Sequence, residues 1–341
     1  MEDYYRNSRQ GRAVRIWVAL GFLAGAVISV VLVTRHNFFS TIGEVRKVGW
    51  GFSSIIALYF AGIVLNGFAW RMLFRPGRPG PVKVLIAMRW VRESINYMVP
   101  TASFGGDVLG GRLLVMWGQD MSTTTGSIVV DKTLEAASLF FFAFAAAFIL
   151  LEDGGSYKIA HWAVLALTAM SAMLAAFLLA QRMGFLNLLD KVLMLLCRRC
   201  GGGPGKIDIQ NAVWKMYSNS GRLSAATVLH FLAWMPGVLQ VWLSLRFMGY
   251  GVSWPGAFII EGLCQAACAA AFILPAKLGA QEAAYMTVGT FFGIPPSVGL
   301  ALSLVQRLKD VFAGILGLLL WQGFEARGLW ELWRERSSPE E

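Results

Sequence analysis

Histidine and cysteine are scarce in this chain, and the few present stand apart. His36, His161 and His230 share no metal-binding spacing. Cys197 and Cys200 form a C-x-x-C beside Gly201 to Gly203, but no second pair of ligands lies near enough to complete a zinc site. Cys264 and Cys268 are one helical turn apart in an apolar run, the spacing of packing residues. No glycine-rich phosphate loop, G-x-S-x-G elbow or dinucleotide fingerprint occurs. The sequence therefore predicts neither a metal nor a cofactor, and it offers no signature of an enzyme. Acidic residues are also few, 20 against 30 lysines and arginines, a net charge of +10. That excess does not predict a nucleic-acid partner. The basic residues sit between apolar runs, where the positive-inside rule places them in a membrane protein.

What the chain has in abundance is apolar length. Of its 341 residues 56% are hydrophobic, with a mean hydropathy of +0.57. The runs are too long and continuous for the alternating strands of an outer-membrane barrel, and they predict an all-α polytopic membrane protein. Six spanning helices are expected at 13–33, 50–70, 124–151, 160–180, 223–247 and 297–321. Two further apolar regions are each split by a Pro…Gly break. One runs over 83–99 and 108–117 with the break at 100–107, the other over 255–274 and 283–292 with the break at 275–282. Their arms are short for a bilayer that needs about 20 residues per span, so both read as re-entrant helical hairpins. With the amino terminus in the cytoplasm, 19 basic residues fall in cytoplasmic segments and 6 outside, which selects this orientation and puts both termini inside.

The chain repeats itself at an offset of 175 residues without a gap. Gly62 matches Gly237, Arg71 matches Arg246, Pro100 matches Pro275, Asp107 matches Glu282, Gly118 matches Gly293, Lys132 matches Arg307 and Glu135 matches Asp310. Hydrophobic composition alone does not align prolines, glycines and charges. The expected topology makes the two repeats inverted, a recurring transporter plan whose broken helices mark the substrate site. The expected organisation is a tail and first helix (1–49), repeat one (50–151), a linking helix with a basic cytoplasmic connector (152–222), repeat two (223–321) and a cytoplasmic tail (322–341). Within the connector, Asn211 to Tyr217 is weakly amphipathic and reads as a segment lying on the membrane surface.

Lys132 and Arg307 each fall about ten residues into a spanning helix, about 15 Å deep at 1.5 Å per residue. A charge there costs about 2.5–3.5 kcal/mol on insertion scales and marks function by default. Glu135 and Asp310 follow three residues later on the same faces, so either two self-neutralised ion pairs or a binding site fits. Asp131 and Lys309 add charge nearby. Asp107 and Glu282 begin the second hairpin arms, where an acid suits the helix dipole. They cap those helices, or pair with the bases, or carry protons. The breaks would aim two helix amino termini at the bilayer centre, with Pro100 and Pro275 as hinges and Gly105, Gly106 and Gly279 allowing close backbone approach. Arg89, Arg92, Glu93 and Asn96 share a region of the first hairpin whose counterpart, 264–271, carries no charge. They are either an entry vestibule for a headgroup or the wet end of a hairpin.

These motifs are familiar. Val99-Pro100 … Gly105-Gly106-Asp107, then Leu274-Pro275 … Leu278-Gly279-Ala280-Gln281-Glu282, and the run Leu304 to Leu308 around Arg307 resemble the flippase-like transmembrane region of lysylphosphatidylglycerol synthases and their stand-alone relatives. Gly111-Arg112-Leu113-Leu114, Val130 to Ala137 and Trp321-Gln322 … Glu325 are most similar to the hopanoid-associated HpnL-type subgroup. Many members of the wider family carry arginine where this chain has Gly110, and Arg112 is the nearby candidate to replace it. The resemblance implies a lipid flippase-like transporter or lipid-handling protein of the bacterial inner membrane, with a membrane lipid as substrate and lipid-biosynthesis proteins as possible partners. It implies no synthesis of lysyl-lipid, because the soluble aminoacyl-transfer domain is not in this sequence. The expected substrate site is Lys132, Arg307, Asp107, Glu282, Glu135, Asp310 and Arg112. The rivals are an intramembrane enzyme acting on a lipid headgroup and a scaffold for lipid synthesis.

Overall fold

The computed structural model describes residues 38–74, 82–98, 105–152, 157–191, 208–271 and 277–337. The expected first span at 13–33, the hinges Pro100 and Pro275, His36 and the Cys197/Cys200 pair lie outside the described residues, as does the side chain of His161. Every regular element among the described residues is a helix. The α-helices, in order, are α1 (Phe38–Val48), α2 (Phe52–Met72), α3 (Val82–Met98), α4 (Gly105–Met116), α5 (Met121–Glu152), α6 (Tyr157–Ala180), α7 (Ile209–Tyr217), α8 (Ser220–Leu232), α9 (Met235–Phe247), α10 (Trp254–Ala270), α11 (Ala280–Thr290) and α12 (Pro296–Ser337), with a 3-10 turn at Gly49–Gly51 and a π-helical turn at Gln181–Phe185.

Among the described residues four stretches are long and apolar enough to cross a membrane: Phe39–Met72, Met121–Glu152, Leu167–Lys191 and Ser220–Phe247. The 42-residue α12 is longer than any of them, about 63 Å at 1.5 Å per residue, but carries Arg307, Lys309 and Asp310 within one turn. It also runs on to Ser337, so part of the expected tail is helical. The outer faces are apolar. Phe141, Phe144 and Phe148 of α5 and Leu308, Val311, Phe312, Ile315 and Leu319 of α12 are exposed at helical spacing, the surface that lipid covers.

The expected span 223–247 falls within the membrane-length stretch Ser220–Phe247, which is interrupted into two helices, α8 and α9, with Ala233 and Trp234 between them. The cause is Pro236. It has no N–H to donate, and its ring excludes the carbonyl four residues back, which belongs to Leu232, the last residue of α8. Ala233 and Trp234 keep right-handed helical angles, so the chain continues in one direction through the break. The matching position in α2 is Ala61, and α2 is unbroken.

The offset of 175 reappears in the backbone. α4 starts at 105 and α11 at 280, α5 at 121 and α12 at 296, while α2 ends at 72 and α9 at 247. Gly118 (φ 82°) and Gly293 (φ 70°) end the second arm of each pair in the left-handed conformation that glycine adopts without penalty. Packing is reciprocal as well. The first arm α3 lies on α12 of the other repeat, and α10 lies on α5, while α2 packs against α8 and α9. Two apolar cores result, one around α3 and α4, the other around α10 and α11. Helix α5 joins them, giving Val130 and Leu134 to the first and Phe142 and Leu150 to the second.

The connector helix α7 is not simply a surface segment. Its apolar side, Ile209, Ala212 and Val213, is buried against α5, where Gly126 admits Ala212. Asp208 caps it, accepting from the Asn211 N–H, and Asp190 accepts from the Ile209 N–H. At its far end the Tyr217 hydroxyl donates to Gln181 Oε1 at 2.9 Å and approaches Thr133 Oγ1 at 3.3 Å. Burial pushes the Tyr217 phenol above its usual range, against the opposing effect of these hydrogen bonds, so it stays a neutral donor at physiological pH. Tyr217→Phe should therefore destabilise the chain by about 1 kcal/mol, read as a lowered melting midpoint in detergent. An unchanged midpoint would show that α7 is held by its apolar face alone.

Candidate functional site

The polar residues of α3 recur at 89, 92, 93 and 96, the spacing that puts them on one helix face. That face points inward. Arg89 and Arg92 are completely buried, so they are neither an entry vestibule nor a wet end. Arg89 reaches Asp131 Oδ2 at 2.6 Å, Glu93 Oε1 at 2.7 Å and Glu135 Oε1 at 2.9 Å. Arg92 donates through Nε and Nη2 to Asp107 Oδ1 at 3.0 and 2.7 Å, and lies 3.1 Å from Asp131 Oδ2. Its guanidinium also stacks 4.5 Å from the Trp70 ring centre. Lys132 sits 3.1 Å from Glu135 and 3.9 Å from Asp107. His230, on α8, places Nε2 3.2 Å from Asp131 Oδ1 and Nδ1 2.8 Å from Asn66 Oδ1. Three cations thus face four carboxylates. Buried charges persist only when paired this closely, because each lost its hydration on folding.

The glycines of the first motif make the cluster possible. A Cβ on Gly106 would run into the backbone carbonyl of Arg92, and one on Gly110 would overlap the Arg92 side chain. Asn96 Oδ1 accepts from the Gly106 N–H at 2.9 Å and so caps α4. Asp107 is not that cap but the partner of Arg92. The space beside Gly110 is filled by Arg92 reaching in from α3. Arg112, by contrast, is 59% exposed and pairs with Glu325 at 3.1 Å, so it does not join the cluster.

Repeat two builds a simpler version. Glu282 Oε1 is 2.5 Å from Arg307 Nε, and Oε2 takes Arg307 Nη2 at 3.0 Å and the Gly279 N–H at 2.8 Å. Glu282 therefore both caps α11 and pairs across to α12. Gly279 adopts φ 81° to allow it. Asp107–Lys132 and Glu282–Arg307 are equivalent clasps, each fastening the second hairpin arm to the long helix after it. Arg307 pairs with Glu282, while Asp310 lies 3.3 Å from Lys309, so the expected Arg307–Asp310 pairing within α12 is not what the helix makes. At the positions of Arg89, Arg92, Glu93 and Asp131, repeat two has Cys264, Ala267, Cys268 and Gln306. Two cations and two anions are replaced together by neutral residues, which leaves neither sign unpaired.

Between the repeats lies a cavity of about 120 Å³ of mixed polar and apolar lining, bounded by α2, α3 and α5 on one side and by Ala233, Trp234, α9, α10 and α12 on the other. Gly62 and Gly237, repeat partners in the sequence, both face it. Its charged lining is Glu93, Glu135, Glu261 and Lys309. A smaller chamber of about 30 Å³ adjoins it at Tyr97, Gln265 and Lys309, and adds Lys277, Gln306 and Asp310. Among the described residues neither is lined by Lys132, Arg307, Asp107 or Glu282. Lys277 has φ 55°, a left-handed angle that costs a non-glycine residue on the order of 1–3 kcal/mol and clusters at functional sites.

Sequence reasoning passed over His230, Glu261 and Lys277. Glu261 was visible as a lone acid in an apolar hairpin arm, which is itself a functional signal. His230 carried none, since its partner Asp131 is 99 positions away. Among the described residues no group of three or more His, Cys, Asp or Glu could hold a metal ion.

Comparison with curated proteins and with solved structures returns no match. The family model described as the lysylphosphatidylglycerol synthase TM region matches residues 16–317, most of the chain and both hairpin motifs. Together with the apolar helices, that match makes this a multi-pass membrane protein with a lipid-related function, a member of the lysylphosphatidylglycerol synthase transmembrane-region family.

Proposed function

We propose that the protein moves a lipid across a bacterial inner membrane by admitting its headgroup between the two repeats while the tail stays in the bilayer. The observation that carries this reading is the cavity bounded by both repeats, with Glu93, Glu135, Glu261 and Lys309 in its lining, in a chain whose outer helix faces are apolar. About 120 Å³ holds several waters or part of a headgroup and leaves no room for an acyl chain. Inverted repeats around such a cavity would open it to each side by exchanging conformations, with both termini in the cytoplasm. The likeness to HpnL-type sequences adds hopanoids to the candidate cargo, and proteins of lipid synthesis to the candidate partners.

An intramembrane enzyme would need a free acid–base pair facing its substrate. Asp107 and Glu282, the sequence candidates, are instead held by Arg92 and Arg307 and do not line the cavity. The two readings separate in a deletion strain whose inner- and outer-membrane lipids are profiled. Transport predicts a lipid made in normal amount but retained in the inner membrane, restored by the wild-type chain. Complete loss of one lipid species would overturn transport in favour of an enzyme or part of one, and an unchanged distribution would favour a scaffold.

A further inference from the structure

The two chambers carry opposite charge. The larger has three carboxylates against one lysine, and the smaller has two lysines against one carboxylate, with Lys309 shared at the junction. Most of these groups are already neutralised by neighbours, but one on each side is not. Glu261 is 3% exposed and accepts only neutral donors, Gln265 Nε2 at 2.8 Å and the Tyr285 hydroxyl at 2.7 Å. No cation lies within 4 Å of it among the described residues. Lys277 likewise has no carboxylate within that distance, and its ammonium faces the Tyr97 ring at 5.9 Å.

A third group points the same way. Gln306 is 5% exposed, and its Oε1 accepts from Lys309 Nζ at 2.8 Å. That ammonium fixes the orientation of the amide, because the reversed amide would set donor against donor. Gln306 Nε2 is then a buried donor without an acceptor among the described residues, on the wall of the basic chamber. A buried donor left unpaired is costly and calls for a ligand atom.

From this geometry we infer that the joined chambers bind a zwitterion. An oxyanion such as a phosphate sits with Lys277, Lys309 and Gln306 Nε2, and a primary ammonium one short linker away sits with Glu261. The inference rests on the proposed lipid movement only for the source of the ligand. A zwitterionic lipid headgroup and a soluble zwitterion share this chemistry.

The test is competitive binding to the purified full chain in detergent, read by native mass spectrometry. Phosphatidylethanolamine is set against phosphatidylglycerol of the same acyl chains. The wild type should retain the zwitterionic lipid over the anionic one by on the order of tenfold. Glu261→Gln should erase that preference by losing phosphatidylethanolamine alone, and Lys277→Met should weaken both lipids. Equal retention by the wild type, or a preference that survives Glu261→Gln, overturns the inference. If Glu261→Gln does not fold, the wild-type ratio and Lys277→Met decide. Glycerophosphoethanolamine displacing the lipid at equal concentration would keep the zwitterion site and remove the lipid as its ligand. Selective binding of phosphatidylethanolamine without movement across vesicles would likewise leave this inference standing and remove only the transport reading.

Discussion

Asp131→Ala is expected to cost about 3 kcal/mol and to lower the yield of folded protein, because it removes the one fully buried carboxylate shared by two guanidinium groups, leaving Arg89 to Glu93 and Glu135 and Arg92 to Asp107. Arg89 and Arg92 both lean on Asp131 Oδ2, at 2.6 and 3.1 Å, and none of the three touches water. The imidazole of His230 loses its carboxylate neighbour in the same change. Glu93→Ala removes an acid from the same cluster with a far smaller effect, about 1 kcal/mol or less. The Glu93 side chain is partly exposed at the cavity rim, and Arg89 keeps Asp131 and Glu135 without it. Melting midpoints and recovered monodisperse protein in detergent measure both variants. Comparable losses would mean that the cluster is held by its total charge rather than by Asp131 as its hub.

The equivalent residues Lys132 and Arg307 should respond unequally. Arg307→Ala leaves Glu282 with the Gly279 N–H but without its cation, at 2% exposure, and is expected to cost about 3–5 kcal/mol. Lys132→Ala should cost about 1 kcal/mol or less, because Asp107 keeps Arg92 and Glu135 keeps Arg89. Thermal melts of the two single variants give the contrast directly. Equal losses would mean that the clasps of the two repeats carry equal weight and that Arg92 does not reinforce the first. The unequal reinforcement also leaves hairpin two held by fewer ion pairs than hairpin one, which makes it the arm expected to move first.

The all-helical, membrane-spanning character of the fold was legible in the sequence because two physical signals are strong there. Apolar length marks bilayer-spanning helices, and Pro and Gly at matched positions mark the breaks. The offset that aligned Gly118 with Gly293 also aligns the helix starts at 105 and 280 and at 121 and 296. Charge was legible as position but not as partner. The K-x-x-E spacing predicted the contact of Lys132 with Glu135, which forms, but R-x-x-D suggested a pair that α12 does not make. Arg307 turns instead to an acid 25 residues away, on α11. Arg89 and Arg92 read as either an entry vestibule or the wet end of a hairpin, because arginines in a membrane segment usually reach water. Their carboxylates come from α4 and α5, and pairing across helices appears only once those helices are packed. The break at Pro236 was overlooked for a different reason. Hydropathy is continuous through it, and the helix is interrupted by the missing N–H and the ring of Pro236 alone.

The most direct test of the cavity as the headgroup route uses Gly62→Leu. The Cβ would stand 3.5 Å from the Ala233 carbonyl and 4.0 Å from the Pro236 Cβ, both ordinary contacts, and Gly62 is on the cavity wall, so a leucine there adds bulk at the proposed route. Leucine also suits a helix better than glycine does, so folding should be preserved. The measurement is movement of phosphatidylethanolamine labelled on an acyl chain, its headgroup amine left free, across proteoliposomes, wild type against Gly62→Leu, each at matched folded content. Movement by the wild type and its loss in Gly62→Leu is the result predicted. A folded Gly62→Leu that moves lipid at the wild-type rate would contradict passage through the cavity between the repeats.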